Sequence, residues 1–129
     1  MSSTVTVKLD RAHLTARMRR GREYAGPILA RQILDDCNNY AVPDDGDHIL
    51  KNSGRSHERI GEDFAATWNT LYAAYQYYGC WEDGSHVIRN HTQGSTQNPS
   101  TQWAEVTKAK YGKDWETVAR REYVRGAGG

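Results

Sequence analysis

A dense run of aromatic residues near the middle of this chain limits the folds that it can adopt. Six of its thirteen aromatic residues lie between Trp68 and Trp81. Four of the six are tyrosines, whose rings combine an apolar body with a polar hydroxyl. A chain of 129 residues is too small to bury every ring in its own core, and Tyr and Trp are enriched at interface hot spots. The run therefore predicts a surface that another protein covers. The residues assigned to this surface are Tyr75, Tyr77, Tyr78 and Trp81.

The apolar content supports the same interpretation. Hydrophobic residues make up 37% of the chain and the mean hydropathy is −0.86, which is low beside the roughly 45–50% of an average domain, a figure that also counts Gly. We expect a single domain over residues 1–129 that gains stability by oligomerisation. The net charge is +1, with seventeen basic and sixteen acidic residues. This balance argues against a dedicated nucleic-acid-binding protein.

Cysteine usage and hydropathy indicate the compartment. Cys37 and Cys80 allow one disulfide at most, and free buried thiols in a reducing environment are favoured. The first residues lack the apolar run of a signal peptide. No stretch reaches the roughly 20 apolar residues of a membrane span. We expect a protein that assembles in a cytoplasm and does not contact a membrane.

The N-terminal third predicts a strand followed by helix. Apolar residues alternate over 4–9, as in a strand with one buried side. Asp10 is a suitable N-cap for a helix that reaches about Arg20, and Pro27 suits the first turn of a second helix that reaches Tyr40. One kinked helix and two separate helices both fit this pattern. The predicted inner stripe of the second helix is Leu29, Ile33 and Cys37.

The middle of the chain predicts a β-hairpin over residues 48–68. Gly61-Glu62 can form a two-residue type II′ turn. The strand that follows alternates, with Phe64, Ala66 and Trp68 on one face.

A short helix is predicted after this strand, capped by Asn69 or Thr70 and ended by Gly79. Its spacing places Tyr72 inward beside Trp68 and directs Tyr77 elsewhere.

Residues 82–101 form a long polar loop, which is uncommon inside a compact domain and is usually functional or disordered. We expect it to be mobile in the free subunit and ordered by a neighbour, with Val87 and Ile88 as docking groups. In an alternative interpretation the loop faces DNA, with His86, Arg89 and His91 near the phosphates.

A last helix is predicted to begin near Thr101 or Gln102. Tyr111-Gly112 can break it, with Asp114 capping a second segment. Residues 125–129 form a flexible tail.

Candidate chemistry is sparse. Asp44, Asp45 and Asp47 around Gly46 resemble part of a calcium loop, but the twelfth position of an EF-hand is Arg55 here, so a hydrogen-bonded turn is favoured. Cys80, His86 and His91 lack the paired spacing of a structural zinc site, and solvated side chains are favoured.

Catalytic residues are not indicated either. Ser56, His57 and Glu58 alternate faces of a predicted strand and cannot form a triad. We therefore expect no enzyme, no metal and no cofactor. A locally basic segment remains, which could contact phosphate, contact an acidic protein surface, or simply be solvated. Its candidate electrostatic contacts are Arg17, Arg19, Arg20 and Arg22.

The order of several short motifs resembles the minor capsid, or head–tail joining, proteins of tailed phages. These motifs are the Gly-Arg-x-Tyr-Ala joint at Gly21–Ala25, the turn at Tyr40–Gly46 and the run from Trp68 to Gly79. Trp103, Lys108-Ala-Lys110 and Trp115 match the last helix of the pattern. The resemblance covers roughly residues 5–125. Asp45 stands where the family usually has Thr, and Leu71 where it usually has Pro.

The resemblance implies a structural virion protein, a neck or connector ring subunit between portal and tail, assembled in the host cytoplasm. The implied fold is α+β, with an N-terminal strand and helix pair, a central antiparallel hairpin, a tyrosine-rich helix and a C-terminal helix. A homo-oligomeric ring is expected, with a hexamer favoured over a dodecamer. Its neighbours would be a connector or stopper and a tail terminator or tail tube protein, with passive DNA contact in the channel. A tail terminator or tail completion protein is the alternative, and a small nucleic-acid-binding protein or enzyme a distant one.

Overall fold

The computed structural model describes residues 3–8, 16–44, 46–56, 59–60, 63–80, 83–88, 91 and 94–128. Strands and helices follow one another as an α+β arrangement, which confirms the predicted class, the N-terminal strand and the C-terminal helix. The elements are β1 (Ser3–Lys8), α1 (Ala16–Tyr40), α2 (Ile49–Asn52), β2 (Arg59–Ile60), β3 (Asp63–Thr70), α3 (Ala73–Tyr78) and α4 (Trp103–Gly126).

The three strands form one antiparallel sheet in the order β1–β3–β2. Val5 of β1 pairs with Trp68 of β3, so the sheet joins the N-terminal strand to a strand that lies more than 60 residues later in the chain. Phe64, Ala66 and Trp68 are buried, as the predicted alternation requires. Ala65 and Thr67 are buried as well, because β3 is the central strand and both of its faces are covered.

The predicted hairpin over 48–68 is confirmed only in its second half. Ile60 pairs with Asp63, which leaves a two-residue connection at 61–62, outside the described residues. The first half is wrong, since residues 49–52 form α2. Their backbone bonds are local, as in the bond that the Asn52 N–H donates to the His48 carbonyl at 2.8 Å. The Ser53 hydroxyl also donates to the Leu50 carbonyl at 2.7 Å and closes the turn.

Helix α1 is one continuous helix of 25 residues with Pro27 inside it, which decides between the one-helix and two-helix alternatives. A proline removes the hydrogen bond to the carbonyl four residues earlier, here that of Glu23. Both Glu23 and Pro27 are exposed, so water can satisfy that carbonyl. On the inner stripe, Ile33 and Cys37 are buried and Leu29 is half-buried. The predicted cap Asp10 lies outside the described residues.

Helix α4 runs antiparallel to α1 and is also continuous. It begins at Trp103, one or two residues after the predicted start at Thr101 or Gln102, and continues to Gly126. The predicted break at Tyr111–Gly112 is wrong, because packing on α1 outweighs the roughly 1 kcal/mol cost of a helical glycine. Asp114 is therefore inside the helix and caps nothing. The helix also includes the first residues of the predicted tail.

Three aromatic rings form the centre of the core. Trp68 and Trp103 are both fully buried, and their rings meet edge to face with centroids 5.7 Å apart. The Trp68 indole N–H donates to Asn38 Oδ1 at 2.9 Å, while Tyr77 packs on the other side of Trp103. The core therefore joins β3, α1, α3 and α4.

Two helical glycines should respond in opposite ways to alanine. A Cβ added at Gly26 would clash with the Phe64 ring, whereas one added at Gly112 would meet only Lys108 Cγ, at an ordinary contact distance of 3.6 Å. We expect Gly26→Ala to lower the free energy of unfolding by about 1–3 kcal/mol through overpacking. Gly112→Ala should raise it by up to about 1 kcal/mol. Urea denaturation of both variants tests this pair, and a stabilised Gly26→Ala would contradict it.

Candidate assembly surfaces

Helix α3 begins later than its sequence predicts. Asn69 and Thr70 pair with β1 as part of β3, so neither caps the helix, and the N-cap position is Tyr72. Gly79 ends the helix in the left-handed conformation with φ 76°, as predicted. This shift of the start changes which tyrosines face the core.

Tyr77 faces inward and Tyr72 faces outward, the reverse of the prediction. Ala73 is fully buried, and the residue four positions later, Tyr77, shares its face of the helix. The Tyr77 ring lies 4.7 Å from that of Trp103, and burial raises the pKa of its hydroxyl to about 12. Tyr72 precedes the helix and is 63% exposed.

We therefore expect Tyr77→Ala to destabilise the subunit. Loss of a packed aromatic ring costs roughly 3 kcal/mol, somewhat less where the ring is only half-buried. Tyr78 is the matched control, because it is 65% exposed on the same helix, and Tyr78→Ala should change stability by no more than about 0.5 kcal/mol. Equal denaturation midpoints for the two variants would contradict this assignment.

The remaining aromatic-surface candidates lie around the end of α3. The Tyr75 hydroxyl donates to the His86 carbonyl at 3.0 Å, and the Ile88 N–H donates to the Gly79 carbonyl at 2.6 Å. This places residues 83–88 against α3. Val87 is 62% exposed beside this contact. Trp81 lies outside the described residues, and the inter-subunit role of the whole set stays a prediction.

A second apolar surface was not predicted. A cleft of about 410 Å³ lies where β3 leads into α3 and where α2 begins. Ile49, Leu71 and Tyr72 on its wall are each 58–63% exposed. In the sequence, only the two adjacent apolar residues at 71–72 indicate that this surface exists. We call this surface the cleft; its lining residues are Pro43, Ile49, Leu50, Thr70, Leu71, Tyr72 and Gln76.

The basic segment at the start of α1 meets a second basic segment at the end of α4. A Cβ at Gly21 would touch the Tyr123 carbonyl oxygen at 2.8 Å, and the Arg17 Nε–H donates to the Ala127 carbonyl at 3.1 Å. The antiparallel helices thus gather two runs of arginine that are far apart in the chain. We call this end the arginine pole; it comprises Arg17, Arg19, Arg20, Arg22, Arg120, Arg121 and Arg125.

Three of these arginines contact carboxylates of the residues that the structure describes. Arg22 contacts Asp63 at 3.3 Å, and its guanidinium lies over the Phe64 ring. Arg121 and Arg125 both donate to the buried Glu122, at 2.9 and 3.0 Å. These ion pairs hold one part of the pole in place.

The second half of the long loop is anchored by the subunit itself, which corrects the prediction that an outside partner must order it. The N–H groups of Gln97, Asn98 and Ser100 donate to the carbonyls of residues 39–41, at the end of α1, where a helix leaves carbonyls without internal partners. Thr96 is buried and donates to the Val42 carbonyl at 2.6 Å. Residues 83–88 lie against α3 and include the exposed Val87.

Asp44 connects this loop to the turn before α2. Its side chain is fully buried and accepts the N–H and the hydroxyl of Ser95, at 3.0 and 2.7 Å, and the N–H of Gly46, at 3.0 Å. His48 Nδ1 lies 2.8 Å from the carboxylate. The Ser95 N–H foremost, with the Ser95 hydroxyl, the Gly46 N–H and His48, holds the pKa of Asp44 well below its usual range, although burial opposes this. The interpretation as a hydrogen-bonded turn is confirmed.

Candidate chemical groups do not converge. Within the described ranges, no group of three or more His, Cys, Asp and Glu side chains could hold a metal ion. Cys37 and Cys80 are both free, and burial raises the pKa of the Cys37 thiol to about 12, which keeps it protonated and unreactive. Burial also lowers the pKa of His91. Among the described residues, no helix is long and apolar enough to cross a bilayer.

Comparison with known proteins identifies the family. A family model described as minor capsid protein matches residues 4–123, nearly the whole chain. Comparisons with curated proteins and with solved structures gave no significant match. The matched range includes the antiparallel helix pair, the sheet, the anchored loop and both apolar surfaces. Such a family is structural and its members are components of the virion, and this chain belongs to the family of phage minor capsid proteins.

Proposed function

We propose that this protein is a head–tail joining subunit in the neck of a tailed phage, located between portal and tail. The observation that carries the proposal is the family match over residues 4–123, together with the motif order that resembles head–tail joining proteins. The buried members of that motif set have structural roles here. Trp68 and Trp103 form the core, and the Trp115 indole N–H donates to Asp36 at 2.7 Å.

Exposed apolar side chains support an assembly role. Leu71, Tyr72 and Tyr78 are each more than half exposed, and aromatic residues of this kind anchor protein interfaces. They lie on a fold whose own core is complete without them. The family motifs thus build a stable subunit and leave apolar groups outside it for neighbours.

Copies of the subunit are proposed to form a closed cyclic ring, with six-fold symmetry favoured over twelve-fold. In such a ring each subunit offers two different surfaces to its neighbours. A connector or stopper on one side, and a tail terminator or tail tube protein on the other, complete the proposed contacts. A reconstruction of the particle that shows a lone monomer, or a two-fold dimer with one shared patch, contradicts this ring.

Particles produced without the protein test the neck assignment. DNA-filled heads and separate tails of normal length are expected, because only their joining would be lost. Tails of irregular length would instead identify a tail terminator and contradict the neck assignment. Particles made with a synonymously recoded copy of the same gene, which encodes the unchanged protein, are the control.

The exposed part of the loop can be tested without disturbing its anchor. Deleting residues 84–98 would also remove Ser95 and Thr96, which bind the turn at residues 42–44. Val87→Asp is the sharper variant, since Val87 is 62% exposed. It should block head–tail joining if the loop docks on a neighbour. Normal joining with abnormal DNA retention would support the alternative in which the loop faces the channel.

A further inference from the structure

The arginine pole and the cleft lie at opposite ends of the molecule. β3 runs alongside α1, from the contact between Asp63 and Arg22 to that between Trp68 and Asn38. The cleft lies beyond the second contact, near Pro43 and Thr70. The 25 residues of α1 span about 36 Å. The two surfaces therefore cannot meet within one chain.

Charge is distributed unevenly between the pole and the remainder of the chain. Residues 16–22 and 120–126 contain seven arginines, one glutamate and no lysine, a net charge of +6. Because the whole chain carries +1, its other residues, ten basic and fifteen acidic, carry −5. Arg19, Arg20 and Arg120 are exposed, and none of them has a side-chain partner among the residues that the structure describes. The pole is thus a positive surface on an otherwise negative molecule.

The composition of the pole favours a protein partner over DNA. Protein interfaces are enriched in Arg, Met and aromatic residues and depleted in Lys, whereas phosphate contacts draw on Lys as well as Arg. Met18, Tyr24, Ile28 and Val124 are each 38–50% exposed near the arginines. A basin of about 630 Å³ opens at the pole, and its wall carries two cations and one carboxylate; its lining residues are Ala16, Arg19, Arg20, Glu23, Tyr24 and Gly126. The excess of positive charge and the adjacent apolar groups match an acidic surface with an apolar centre.

The cleft end has that chemistry. Its apolar wall is exposed, and the adjacent turn contributes Asp47, which is also exposed. Lys51 of α2 donates from Nζ to Ser95 Oγ at 2.9 Å, and its side chain is only 11% exposed. The cleft end therefore presents one exposed carboxylate beside exposed apolar side chains, on the part of the chain whose net charge is −5.

We propose that the arginine pole of one copy binds the cleft end of a second copy, head to tail. This inference rests on the proposed ring and names the two surfaces that form it. An open oligomer built this way keeps one free pole and one free cleft, so association continues, and it ends in a ring where the rotation between successive subunits closes.

Two surface variants and two controls test the contact in purified protein. The pole variant Arg19→Glu/Arg20→Glu places acidic residues in the first turns of α1, where they favour the helix. The cleft variant Leu71→Ser/Tyr72→Ser changes only exposed side chains. The controls are Lys108→Glu/Lys113→Glu, which reverses two exposed charges of α4 outside the pole, and Glu116→Ser, which truncates another exposed side chain of the same helix. In analytical ultracentrifugation, each surface variant should associate at least tenfold more weakly than wild type, and the controls should match wild type.

Mixing the two surface variants provides the decisive result. The pole variant keeps an intact cleft and the cleft variant keeps an intact pole, so one functional contact remains between them. Native mass spectrometry should detect 1:1 dimers and no larger species. Either variant assembling like wild type, or a mixture that stays monomeric, would overturn the proposal.

Cysteine cross-linking captures the contact even when association is weak. Tyr24→Cys/Tyr72→Cys, in a Cys80→Ser background, should give a ladder of covalent oligomers with a bismaleimide. Either cysteine alone should give no ladder, and absence of a ladder in the double variant would overturn the proposal. Salt-sensitive binding of a 30-base-pair duplex that is lost in the pole variant, with association unchanged, would identify a DNA surface and also overturn it. These assays need no virion, so their outcome is independent of whether the protein lies in the neck.

Discussion

Replacing Asp44 with alanine is expected to lower the free energy of unfolding by about 3 kcal/mol. The variant leaves the N–H groups of Ser95 and Gly46 without their buried acceptor. It also releases the loop from the turn before α2, because the same carboxylate accepts the Ser95 hydroxyl.

Urea denaturation of Asp44→Ala and of Asp47→Ala measures this effect. Asp47 is the matched control, since it belongs to the same turn and is exposed, and its replacement should cost no more than about 0.5 kcal/mol. Hydrogen exchange should show faster exchange at Gln97 and Asn98 in Asp44→Ala only. Equal stabilities of the two variants would show that the carboxylate does not hold the loop.

The lowered pKa of Asp44 also predicts that the free energy of unfolding decreases at acidic pH. A carboxyl group whose pKa is lower in the folded than in the unfolded state stabilises the fold above the unfolded value, near 4. That contribution is lost as the pH falls from about 4 toward the folded pKa. Wild type should therefore lose more stability than Asp44→Asn over this acid range. Parallel pH profiles for the two proteins would contradict this expectation.

Replacing Trp103 with alanine is expected to cost about 4 kcal/mol, the largest effect of any single substitution proposed here. Trp103 is fully buried, and its ring contacts both Trp68 and Tyr77. Its removal opens a cavity where α4 meets the sheet and α3. A denaturation midpoint close to that of wild type would mean that the core closes without this ring.

Phenylalanine substitutions separate packing from hydrogen bonding at the two core tryptophans. Trp68→Phe leaves Asn38 Oδ1 without the indole donor. Trp103→Phe removes an N–H that is buried and has no partner among the described residues. Both indoles are fully buried, so the packing losses are comparable. Trp68→Phe should be the more destabilising by about 1 kcal/mol, since an orphaned buried acceptor adds its own cost.

Local patterns and the order of motifs were enough to predict the fold class, the family and one helix end. Alternation identified β1 and the buried face of β3 because a strand repeats every two residues. The end of α3 at Gly79 followed from local chemistry, since a left-handed C-cap suits glycine. The motif order sufficed for the family because it depends on spacing and not on contacts.

The buried faces of the helices and the composition of the surfaces depended on contacts between elements that are distant in the chain. Whether α1 and α4 continue through Pro27 and Gly112 depended on the packing of the two helices, which outweighs local propensity. The start of α3 depended on how far β3 pairs with β1, and that start placed Tyr77 inside. The arginine pole joins segments about 100 residues apart, and Asp44 meets Ser95 across 51 residues. Patterns of neighbouring residues cannot predict contacts over such sequence separations, because only folding brings these groups together.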